Sequence, residues 1–137
     1  MYRRLIVPVD LGHVDRLPKA LTTAADLAGT YGATVIFVSV TAEVPTPIAR
    51  TPKEFDEKLA AFAQAQAATH GYSVEHRAYS SHDPAIDTDK TLLNAIKELQ
   101  ADLVVMASHV PGVTDYLWAG HGATISAHTE ASVFLVR

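Results

Sequence analysis

No cysteine occurs in the 137 residues. Disulfides, thiolate nucleophiles and cysteine zinc sites are therefore excluded, and a reducing compartment suits the chain. Basic residues are few and scattered apart from Arg3-Arg4, and the formal net charge is −4. That balance lacks the clustered Lys and Arg that nucleic acid or an anionic membrane surface demands. Long apolar runs are missing too: "MYRRLIVPVD" holds only a short one before Asp10, too brief for a signal peptide or a membrane span. No repeat or low-complexity tail is present. With 48% hydrophobic and 19% charged residues, residues 1–137 are expected to form a single soluble domain. The expected location is the cytoplasm, with neither nucleic acid nor membrane as partner.

What is there alternates. "RRLIVPV" and "ATVIFVSV" are short apolar runs rich in β-branched residues, the pattern of strands buried on both faces of a parallel sheet. Between them Leu17, Leu21, Ala24, Ala25 and Ala28 recur at helical spacing, with Pro18 in the first turn and Gly32 as the stop. Three prolines make "TAEVPTPIARTP" a surface loop. An alanine-rich helix follows over 53–69, carrying Phe55, Leu59, Phe62 and Gln66 along one side. "YSVEHRAY" alternates like a strand nearer an edge, "SSHDPAIDTDK" reads as a polar connection, and "TLLNAIKELQ" as a helix. "DLVVMAS", a loop, a helix and "SVFLVR" complete the chain. The expected fold is α/β: an open, doubly wound five-stranded parallel sheet with about four helices on its two faces. Ligands of such sheets bind beyond the carboxyl ends of the strands, where strand order reverses. That points to Asp10, Val40, 107–112 and 120–122.

"LIVPVD", "FVSV", "DLVVMASH" and "ASVFLVR", in this order and spacing, resemble the universal stress protein family along the whole chain. Ser108-His109, Pro111 and Tyr116-Leu117 look like its small F/G-type branch. The resemblance implies strand order 3-2-1-4-5, Rossmann-like, and a homodimer paired through the C-terminal strand. In many members it also implies bound ATP with Mg²⁺. It places Pro8, Val9, Asp10, Val40 and Met106 around the adenosine. Phosphates would meet Ala107, Ser108, Val110, Ala119, Gly120, His121 and Gly122.

The family's phosphate motif is Gly-x-x-Gly, nine residues, then Gly with Ser or Thr. Here Ala107 and Val110 replace the first two glycines. Counting back from the last strand puts Ala119 and Gly120 in the final pair; sliding by one puts Gly120 and His121 there. Val110 is the serious departure, because a β-branched residue resists φ > 0. No Lys or Arg stands between Lys97 and Arg137 to meet a triphosphate. Asp10 has two readings, a contact in the adenosine half or cap of the following turn. For Val40 and Met106 the alternative is core packing. Tyr116, Leu117 and Trp118 pack beneath the loop, or form a lid or a partner-contacting patch.

Seven histidines suggest no metal site: His82-Asp83 lacks partners at ligand spacing, and His121 and His128 stand two helical turns apart. His121, at a helix start, is expected to donate as a neutral ring to a phosphate or ribose. No nucleophile elbow occurs, so any ATP hydrolysis is expected to be slow. A small hydrolase or transferase on a related nucleotide-binding fold would need a recognisable catalytic set, which the sequence lacks, and two functions come before it. One is a weakly held adenine nucleotide acting as a switch. The other is a protein that binds no nucleotide and works through dimerisation and contacts with protein partners.

Overall fold

The structure is a computed structural model that describes residues 1–108 and 116–137. Five parallel strands, β1 (Arg4–Pro8), β2 (Thr34–Ala42), β3 (Val74–Ser81), β4 (Leu103–Ala107) and β5 (Ser132–Val136), stand in the order β3-β2-β1-β4-β5. Four helices connect them: α1 (Pro18–Tyr31), α2 (Pro52–His70), α3 (Pro84–Glu98) and α4 (Gly122–His128). With strand order β3-β2-β1-β4-β5 and the right-handed crossovers usual for parallel strands, α1 and α2 cover one face and α3 and α4 the other, and α3 packs against α4. The expected strand order holds.

Burial explains the strands. Leu5, Ile6, Val35, Ile36, Phe37, Val38 and Val104 to Met106 are all fully covered, because helices close both faces of the sheet. On α1 the buried stripe is Ala20, Ala24 and Ala28. Small side chains there let the helix lie close to the sheet. Gly32 and Gly71 end α1 and α2 in the left-handed conformation, at φ 64° and 80°.

Arg3-Arg4 turns out to be structural. The Asp102 carboxylate accepts from the main-chain N–H groups of both, tying the start of β1 to the start of β4. The Arg4 guanidinium grips Glu75 on β3 with two bonds, of 3.0 and 3.2 Å, and holds that carboxyl below its usual range.

One expectation fails at a boundary. The polar stretch 80–90 is not all connection, since α3 starts at Pro84 and takes in Ile86 to Lys90. Pro84 at the first helical position needs no N–H partner, and Thr88 is buried with its hydroxyl turned onto the Pro84 carbonyl. A threonine that satisfies itself within the helix can sit on a buried face, which a polarity pattern does not reveal. Among the described residues no helix is long and apolar enough to cross a membrane.

Candidate functional site

The carboxyl ends of β1 and β4 meet at the point where strand order reverses, and Asp10 stands just beyond β1. Its carboxylate is heavily engaged. Oδ1 accepts from the Gly12 N–H at 3.1 Å, capping a 3-10 turn over Leu11–Arg16. Oδ2 lies 2.9 Å from the His13 ring nitrogen and accepts from the Leu117 N–H at 3.0 Å. The capping role read from the sequence is therefore present. The bond to Leu117 adds something the sequence did not signal: it pins a segment 107 residues away onto the end of β1.

That segment is packing rather than lid. Trp118 is fully buried and Tyr116 is 3% exposed. The Trp118 indole donates to the Val9 carbonyl at 3.0 Å, and the buried Ser39 hydroxyl donates to the same oxygen at 2.6 Å. Val9 thus gathers β1, β2 and the 116–121 segment around one acceptor.

Tyr116 buries its phenol without a hydrogen-bond partner. Burial, with the nearby Asp10 charge, pushes its pKa far up. A group whose folded pKa is raised adds stability below the unfolded value, about 10 for tyrosine, and loses it as pH climbs towards the folded value. Tyr116→Phe removes an unsatisfied hydroxyl. It should raise stability by about 1 kcal/mol at neutral pH and blunt the loss above about pH 10, both read from urea midpoints. Unchanged alkaline sensitivity would assign that loss to Tyr72 or Tyr79, whose phenols are also raised by burial.

Pro8, Val9, Val40, Met106 and Ala107 are all buried along this edge. Ser108 closes β4 onto β5, its N–H donating to the Val136 carbonyl at 2.9 Å and its hydroxyl turned to the same oxygen at 3.3 Å. Ala119 and Gly120 are exposed, and Gly120 has φ 75°, a conformation that favours glycine. His121 precedes α4, and its ring nitrogen bonds the Asp89 carboxylate of α3. Gly122 is buried against β5: a Cβ there would meet Leu135 Cδ2 at 2.5 Å, so this glycine serves close packing. Val110 lies outside the described residues, with the rest of 109–115. Among the described residues no three His, Asp or Glu side chains stand together as metal ligands.

The sequence indicated no cation here between Lys97 and Arg137. The fold supplies two from elsewhere: Arg16 and Lys19, before and within the first turn of α1, share with Arg137 the rim of a cavity beside Ala107 and Val136.

A family model described as "Universal stress protein family" matches residues 1–137. The chain belongs to the universal stress protein family. Its fold is similar to that of the universal stress protein UspA from Lactobacillus plantarum, with a TM-score of 0.71 at 17% identity over 99% of this chain and 98% of that one. A universal stress protein in complex with cAMP aligns with a TM-score of 0.68 at 17% identity, over 99% of this chain and 97% of that one. The universal stress protein from Archaeoglobus fulgidus in complex with dAMP aligns with a TM-score of 0.67 at 18% identity, over 99% and 98%. As a universal stress protein, this chain departs from the family's glycine motif where Ala107 and Val110 stand.

Proposed function

We propose that this universal stress protein binds an adenine nucleotide weakly at the carboxyl edge between β1 and β4, in the cytoplasm, as a switch on its contacts with partner proteins. The observation that carries the reading is the gathering of Asp10, Val40, Met106 to Ser108 and 119–122 along one edge at the switch point. Nucleotides bound by two proteins of this fold, cAMP in one and dAMP in the other, support it. Val40 and Met106 with Pro8 and Val9 would border the base, and Asp10 would meet the ribose through what acceptor capacity Oδ1 retains. Gly120 and the N–H groups near it, with Ser108, would take the phosphates. Val110 belongs to the same proposed set. A triphosphate would arrive with Mg²⁺, which would offset charge that few side chains here can meet. Neither a general base nor a nucleophile is offered to a bound γ-phosphate by the described residues, so turnover of ATP would be slow.

The chain would act as a homodimer through β5. That strand is an edge of the sheet, pairs among the described residues with β4 alone and leaves Phe134 45% exposed, which leaves it open to pairing with a second copy.

Thermal unfolding of the purified protein with millimolar Mg²⁺-ATP, AMP, cAMP or GTP tests the nucleotide reading. A ligand at a hundred times its Kd contributes about 2.7 kcal/mol, or roughly 8–12 °C in a domain of this size. A rise for the adenine nucleotides alone is expected, from a species that sediments as a dimer at tens of micromolar. No rise in protein freed of nucleotide would sink the switch. The competing reading is a dimer that binds no nucleotide. One specific observation favours it: Trp118 and Leu117 already occupy the Val9 carbonyl and Asp10 Oδ2.

A further inference from the structure

Three hollows extend beyond the residues of the site above. One is a polar hollow edged by Glu43, Ser81, His82 and Asp87. Its groups are already paired, Ser81 with Asp87 at 2.6 Å and His82 with Glu43 at 2.8 Å. A second is a wide cleft of about 510 Å³ between the C-terminal ends of α3 and α4, where Lys97 and Glu130 offset each other's charge. The third is the cavity of about 210 Å³ under the start of α1, and its two halves differ sharply.

Its floor is apolar. Leu17, Ala20, Ala107 and Val136 are each 3–6% exposed and present only hydrocarbon side chains. Its rim is cationic. Arg16, Lys19 and Arg137 surround the opening, and no acidic side chain among the described residues lines it. The described Asp and Glu residues form no ion pair with any of the three. Lys19 holds the main-chain oxygen of Arg137 at 2.7 Å, which fixes one side of the rim and leaves the two guanidinium groups for a ligand. In a chain of net charge −4, this is a local excess of the opposite sign.

From this pairing of floor and rim we infer a binding site for a small amphiphilic carboxylate, its hydrocarbon body on Leu17, Ala20, Ala107 and Val136 and its head between Arg16 and Arg137. The volume equals about seven water molecules at roughly 30 Å³ each, which sets the scale at six- to eight-carbon acids. Guanidinium groups suit a carboxylate because their planar N–H pairs match its two oxygens. A body held in the apolar pit excludes water from that contact and strengthens it. The site lies on the α1 face and involves neither Asp10, Val40 nor Gly120; the residue it shares with the proposed nucleotide set is Ala107, at the end of β4.

Titration of the ¹⁵N-labelled full chain with hexanoate, followed by amide chemical shifts, tests it. Saturable shifts are expected at Ala20, Ala107 and Val136, with hexanol binding at least tenfold more weakly and inorganic phosphate leaving those amides unmoved. The double variant Arg16→Gln/Arg137→Gln changes exposed side chains, should keep the wild-type thermal midpoint, and should weaken hexanoate at least tenfold. Equal binding of hexanol, unchanged hexanoate affinity in the double variant, or no saturation by hexanoate would each overturn the site. Displacement of hexanoate by AMP would overturn its independence from the nucleotide edge.

Discussion

Trp118→Ala should cost about 3–5 kcal/mol, the range for removing a large aromatic side chain from a closed core. Trp118 is fully buried in one core cluster with Val9, Met106 and Ile125, all fully covered, so little can collapse into the void. The indole also leaves the Val9 carbonyl, which keeps only the Ser39 hydroxyl. For a domain of this length the loss corresponds to a fall of roughly 10–20 °C in the thermal midpoint. Trp118→Phe separates the contributions: it keeps most of the volume and removes the N–H, and should cost about 1–2 kcal/mol. A Phe variant as unstable as the Ala variant would mean the hydrogen bond, not the packing, holds the segment down. An Ala variant within 1 kcal/mol of wild type would remove Trp118 from the core altogether.

Asp10→Ala should be nearly as damaging, at about 3 kcal/mol. It removes the cap on the 3-10 turn, worth about 0.5–2 kcal/mol, and the charged acceptor for the Leu117 N–H, worth about 1.5–3 kcal/mol. Asp10→Asn discriminates between the two. An amide oxygen can still accept from Gly12 N–H, but the amide nitrogen facing Leu117 can only donate. Asn should therefore fall about midway between Asp and Ala in urea unfolding. An Asn variant equal to wild type would show that the tether to Leu117 contributes nothing. Either result bears on function, because a ligand that recruits Asp10 must share it with this internal network.

The buried strands and the Gly32 stop were legible because each follows from a local pattern with one physical cause, whereas the strand order came through the family resemblance. Valine and isoleucine runs mark strands covered on both faces, and Gly32 and Gly71 end helices whose backbone turns left-handed. The start of α3 was not legible, since Thr88 sits on the buried face by satisfying its own hydroxyl. The site was legible only as an edge. Nothing in the spacing of Asp10 and Leu117 foretells their bond, because it depends on how 116–121 returns across the sheet. Gly122 carried the opposite lesson: a glycine in the expected place is explained by Leu135 alone. The rim cations were missed because Arg16 and Lys19 lie far from Ala107 in sequence and reach it only through the β1 to α1 connection.

The position of β1 in the middle of the sheet bears on how the chain assembles. Residues 4–8 have two neighbours, β2 about thirty residues on and β4 about a hundred residues on. The first pairing closes a short loop and the second a long one, and only the second joins the two halves of the sheet. During synthesis, β1, β2 and β3 can form a three-stranded unit while one flank of β1 stays open, with Leu5 and Ile6 waiting for Leu103 and Val104. The apolar centre of the finished domain is thus an unfinished edge for much of the time the chain is being made. In the finished fold Asp102, at the entry to β4, ties this junction, its carboxylate accepting from the N–H groups of Arg3 and Arg4.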